Sequence, residues 1–300
     1  MIWLTGGQIY DVEAGGYRRG EIAIDEEGRI AAITATASPA PDDEVIDVDG
    51  AYLLPGLIDC HVHLVMPTWV ADPAAAAARP EGLIAIHAAV AAERSLLAGF
   101  TALRDVGGWN YHEMAVRGAI EAGLIRGPRL FLAGRILSIT TGGAQYYPGM
   151  YEVADGVEQV MAAARKQLAM GADLIKVMAT GAMLSPESED SRAIQFRPEE
   201  LAAAVAVARD NAKHVACHAH ACQGIVNAVE AGVDSIEHGT FADDDALALM
   251  AERGTVLVPT CCVTQAMLAD DAVAAAMPAH RATTTATMPR KSCRWCAIAA

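Results

Sequence analysis

From Pro55 onward the chain repeats one rhythm, a short apolar run followed by a longer alanine-rich stretch, and this constrains the fold more than any other feature. The short runs read as strands of a parallel sheet and the longer stretches as the helices that connect them. Strands are expected near 57–64, 101–106, 129–133, 174–178, 215–219, 235–238 and 256–259, with helices near 81–98, 112–121, 156–170, 198–211, 222–231 and 243–253. Helix-end chemistry agrees. Pro198 suits a first turn, Glu199, Glu200 and Asp243 to Asp245 complement a helix N-terminus, and the glycines of "MGAD" and "EAGVD" suit left-handed caps. These seven strands are one short of a closed eight-fold barrel, so the expected class is α/β, an incomplete TIM-like (β/α)8 barrel.

The flanks differ from this repeat. Residues 1–54 alternate apolar and polar side chains over short segments broken by Gly, Asp and Pro, which predicts a small N-terminal β domain. The barrel is expected over 55–264. After Asp271 no acidic residue occurs, Arg281, Arg290, Lys291 and Arg294 appear, and periodicity stops, so 265–300 is expected to be a disordered tail.

Charge narrows the partners. Acidic residues outnumber basic ones 37 to 22, giving a net charge of −15, which repels nucleic-acid phosphates and anionic membranes. No apolar stretch reaches the roughly 18 residues of a membrane span, and the first residues lack the basic start of a secretory signal. A small-molecule partner is expected, with neither nucleic acid nor membrane, and room is left for a homo-oligomer. The seven cysteines suit free thiols in a cytoplasmic protein better than a disulfide framework.

In a parallel barrel, residues at the C-terminal ends of the strands face the site. "PGLIDCHVHL" places His61 and His63 there, on the same side of the first strand because extended side chains alternate. Lys176 follows on the fourth strand, His218 and His220 on the fifth and His238 on the sixth. Imidazole is a common zinc ligand. Burial among cations lowers a lysine's affinity for its proton, and a neutral amine can take up carbon dioxide as a carbamate that could bridge two metals.

The segments "PGLIDCHVHL", "TALRDVGG", "GADLIKVMATGA", "VACHAHA" and "AGVDSIEHGT" together resemble the amidohydrolase superfamily, in its imidazolonepropionase-like branch with the prolidase-type metal-dependent dipeptidases. The resemblance implies two divalent metal ions, usually zinc, held by His61, His63, His218 and His238 and bridged by carboxylated Lys176. It implies hydrolysis of an amide C–N bond, in a dipeptide or N-acyl amino acid, by a metal-activated water. Lys176 and His220 are the catalytic-site candidates, with His220 expected to contact substrate. Arg104 is either a substrate contact or half of a rim ion pair with Asp105, and Tyr146 and Tyr147 are candidate substrate contacts. His112 is expected to face solvent. The aspartate that the family places at the end of strand eight, as ligand and proton shuttle, has no counterpart; only Asp270 and Asp271 follow Pro259. The alternatives are therefore a catalytically inactive truncated fragment, or a hydrolase of a cyclic amide such as an imidazolone.

Overall fold

The computed structural model describes residues 1–66, 78–147, 149–183 and 189–262. The chain divides into two compact units, Met1–Leu57 and Ile58–Ala300. The first contains β1 (Ile2–Asp11), β2 (Gly16–Ile24), β3 (Ile30–Thr34), β4 (Glu44–Asp47) and β5 (Tyr52–Leu53). They form one sheet in the order β3-β2-β1-β4, with β5 also pairing β1. The β1–β2 turn closes because the Asp11 carboxylate accepts the backbone N–H groups of Glu13 and Ala14 at 3.1 and 3.0 Å. Trp3, Ile9, Ile22 and Ala23 are buried, and the Trp3 indole N–H donates to Asp43 at 3.1 Å.

The second unit carries the strand and helix alternation: β6 (Leu57–Val62), α1 (Glu81–Leu97), β7 (Phe100–Asp105), α2 (His112–Glu121) and β8 (Arg129–Leu132). Then come β9 (Ile136–Ser138), the short α3 (Gly142–Tyr146), β10 (Tyr151–Val153), α4 (Val157–Ala169), β11 (Leu174–Met178), α5 (Pro198–Asp210) and β12 (His214–Ala219). Finally α6 (Cys222–Ala231), β13 (Ser235–His238), α7 (Asp244–Arg253) and β14 (Val256–Val258) follow. One sheet runs β6-β7-β8 and another β10-β9-β11-β12-β13-β14, the latter parallel throughout. The two meet where the Asp173 N–H donates to the Leu132 carbonyl at 2.7 Å and the Asp173 carboxylate accepts the Leu132 N–H at 2.9 Å.

The helices start and stop for local reasons. Asp243 caps α7 by accepting the Ala246 N–H at 2.9 Å, and Glu200 reaches back from α5 to accept the Arg197 N–H at 2.8 Å. Gly171 and Gly232 take φ values of 92° and 90°, the left-handed stops expected for them.

Strand alternation then sorts the side chains. Ile175, Val177, Val215, Cys217, Ala219 and Ile236 point into an apolar layer shared with α4, α5, α6 and α7. Leu174 and Ala216 lie on the other face, in a small cluster with Val106 and Ala133. Lys176 and His218, two residues further along, share that second face. Among the described residues β6 pairs only with β7 and β14 only with β13, and Leu57, Ile58 and Val256 on these edge strands are exposed. An eighth barrel strand is not found among the described residues, and the expected tail lies outside them.

Candidate metal centre

The C-terminal ends of β6, β11, β12 and β13 bring the predicted residues together. The ring centroids of His61 and His63 are 5.3 Å apart, His61 lies 4.8 Å from His238, and His218 lies 4.6 Å from His238. His220 stacks on His238 at 4.9 Å, and candidate ligand atoms of His218, His220 and His238 lie within 4.8 Å of one another. His220, expected as a substrate contact, thus stands among the candidate ligands as closely as His218, expected as the ligand, does. His238 follows Glu237 directly, and alternation would send the two to opposite faces. The positive φ of 73° at His238 turns the backbone so that both reach the cluster, a conformation unusual outside glycine.

Each imidazole is oriented by one ring nitrogen, and where the partner is a carboxylate or a carbonyl, which only accept, it assigns the proton. His61 Nδ1–H donates to Glu237 Oε2 at 2.7 Å, and His63 Nδ1–H donates to the Gly107 carbonyl at 2.9 Å. Both leave Nε2 as the ligating atom. His218 is reversed: Nε2–H donates to the Gly181 carbonyl at 3.3 Å, so Nδ1 is its ligating atom. Nδ1 of His238 pairs with the Thr260 hydroxyl at 2.7 Å, and Nδ1 of His220 with the Thr240 hydroxyl at 2.6 Å.

The electrostatics favour the ligating, neutral form. Burial, reinforced by His61 and Lys176, holds His63 down at about 3. Burial likewise lowers His61, and it drives His218 and His238 well below the usual histidine range with help from neighbouring histidines. Lys176 is 1% exposed, and burial brings it down to about 8 against the opposing pull of Glu237. A lysine so depressed reaches its neutral form more readily near pH 7 than an exposed one does. Four neutral imidazoles presenting unprotonated nitrogens beside a depressed lysine fit a divalent metal centre.

Other expectations resolve differently. Arg104 and Asp105 do not pair with each other. Arg104 donates to Glu237 at 2.7 Å, to Ser235 at 3.0 Å and to the Cys60 carbonyl at 2.6 Å, whereas Asp105 accepts the N–H groups of Leu64 and Gly107 at 2.8 and 2.9 Å. Asp105 thereby anchors the backbone on either side of the site. Tyr147 is buried in the apolar cluster with Met150, Tyr151 and Met178. Tyr146 ends α3, and its side chain lies outside the described residues, as do Asp270 and Asp271. His112 does not simply face solvent, as expected of it, because its Nε2 is buried without a partner. Cys60, Cys217, Cys222 and Cys262 are free thiols.

A model of the amidohydrolase family matches residues 52–289, most of the chain. The chain belongs to the amidohydrolase family. This amidohydrolase-family chain is 33% identical over 242 residues to the ochratoxinase of Aspergillus niger, a match covering 73% of this chain and 50% of that protein. Among solved structures it superposes with a TM-score of 0.85 on a prolidase complexed with N-methylphosphonate-L-proline, at 33% identity over 97% of this chain and 73% of the other. A Xaa-Pro dipeptidase with methionine bound in its active site gives 0.82 at 32% identity, covering 96% and 74%. These likenesses support the prolidase-type branch. The chain spans about half the length of the curated relatives it matches.

Proposed function

We propose that this amidohydrolase-family chain hydrolyses the amide C–N bond of a small substrate, a dipeptide or N-acyl amino acid, at a centre for two divalent metal ions. The observation that carries the reading is the set of protein hydrogen bonds that orient His61, His63 and His218 on two strand ends, each with one ring nitrogen left free to ligate. His61 and His63 would hold one ion, His218 and His238 the other, and Lys176, carboxylated, would bridge them. Zinc is the metal this nitrogen-rich donor set favours. When bound, such ions supply Lewis-acid polarisation of the carbonyl and acidify water towards neutrality. His220, whose Nδ1 pairs with Thr240, would contact the substrate carbonyl. The prolidase and Xaa-Pro dipeptidase likenesses favour a dipeptide ending in proline.

Proton delivery to the leaving nitrogen needs an acid. Glu237, the carboxylate in contact with the described cluster, has both oxygens engaged. This favours a second reading, a metal-binding chain without turnover. Elemental mass spectrometry and assays with Xaa-Pro dipeptides and N-acyl amino acids, on the full chain, separate the two. Close to two ions per chain with chelator-sensitive amino-acid release is expected. Two ions without release supports the inactive reading, and folded protein that takes up no metal overturns both.

A further inference from the structure

Glu237 contributes no ligand to the proposed centre, yet it is fully buried and has an unusually complete set of partners. Oε1 accepts from Arg104 Nη2 at 2.7 Å and from the Ser235 hydroxyl at 2.7 Å, while Oε2 accepts from His61 Nδ1 at 2.7 Å. Arg104 is itself fixed by the Cys60 carbonyl, one residue before His61, and by Ser235. The network thus joins β6, β7 and β13 at the base of the histidine cluster. We propose that Glu237, clamped by Arg104 and Ser235, is a positioning residue that locks His61 in its Nδ1–H tautomer and so keeps Nε2 as the metal-ligating atom.

The argument turns on what a carboxylate can do that its amide cannot. Ionised Glu237 only accepts hydrogen bonds, so the nitrogen facing it must carry the proton. With Gln at this position, Arg104 and Ser235 offer donors on one side and draw the amide oxygen towards themselves. The amide NH2 then faces His61 Nδ1, which must accept, and the ring proton moves to Nε2. That atom can no longer ligate without losing its proton. The clamp is charged: one guanidinium nitrogen donates to Oε1 and another to the Ser235 hydroxyl, which donates to the same oxygen, leaving Oε2 aimed at the imidazole.

The metal half of this inference rests on the proposed function, and the tautomer half does not, so the test reads them separately. In metal-free, 15N-histidine-labelled full-length protein, with the His61 signals assigned by their loss in His61→Gln, NMR should find Nδ1–H at His61 in the parent and Nε2–H in Glu237→Gln. Zinc affinity, measured by chelator competition, should fall about 10- to 100-fold in the variant, the range seen when partners of metal-bound histidines are removed. An unchanged tautomer, or affinity within twofold of the parent, overturns the proposal. If Glu237→Gln does not fold, Arg104→Lys replaces it: loosening the clamp should give a mixed His61 tautomer and weaker zinc binding, and neither change would sink the idea. A tautomer that switches between the parent and Glu237→Gln, in a parent that binds no zinc, removes the metal-centre reading and leaves the positioning role of Glu237 standing.

Discussion

At the scale of single residues, the described part of the molecule concentrates its cost in buried charge. Glu113 on α2 is fully buried, and neither carboxyl oxygen has a hydrogen-bond partner. Burial, and then the carboxylate of Asp105, push it up to about 8, while burial also raises Asp105 to about 6. The folded chain therefore holds the Glu113 proton more tightly than the unfolded chain does. The stability this gives is fully present below the unfolded value near 4.5 and is lost as pH rises towards 8. Glu113→Gln, neutral at every pH, should unfold at higher urea than the parent at pH 8, with the difference shrinking towards pH 5; a difference that stays constant with pH would contradict this. Gly108 exists for the same carboxyl, since a Cβ there would run into the Glu113 side chain. The two histidines of β12 can also be separated. His218→Ala should lose bound metal, whereas His220→Ala should retain it and lose about 100- to 10,000-fold in kcat; equal metal loss in both would make His220 a ligand.

At the scale of elements, the long βα repeats were legible because burial on both faces of a strand and one face of a helix leaves a clear pattern. β11, β13, α2 and α6 run over the predicted residues, and the other repeated strands and helices differ by a few residues at their ends. β9, α3 and β10 were not foreseen, for three to five residues are too few to show a period. Their pairing is decided by β11, which supplies the hydrogen-bonding edge for β9. Capping was readable from residue type alone. Asp243→Ala should cost about 1 kcal/mol by removing the acceptor for the Ala246 N–H at the start of α7, measured as a lower urea midpoint with an unchanged slope. An unaltered midpoint would mean that packing of Ala246 and Met250, both buried, fixes this helix without its cap.

At the scale of the whole molecule, the proposed ligands lie on β6 and its end, β11, β12 and β13, so a bound metal would tie the two parallel arrays together. An ion that binds only the folded chain stabilises it by about 2.7 kcal/mol at a hundredfold excess over Kd. For a domain of this size that corresponds to a Tm increase of several degrees. Zinc should raise the Tm of metal-free protein by this amount and EDTA should reverse it; no response would argue that the arrays are held by packing alone. The sequence by itself determined the alternation of strands and helices, the small β unit before them, the family, and which histidines and lysine converge. These follow from periodicity and from where a strand end must point. Tertiary structure decided which ring nitrogen His61, His63 and His218 offer, that Arg104 serves Glu237 rather than Asp105, and that Glu113 is buried with both carboxyl oxygens unpartnered. Those outcomes depend on groups far apart in the chain, 176 residues in the case of His61 and Glu237. No local pattern encodes such a distance, and only the packed fold brings the two atoms to 2.7 Å.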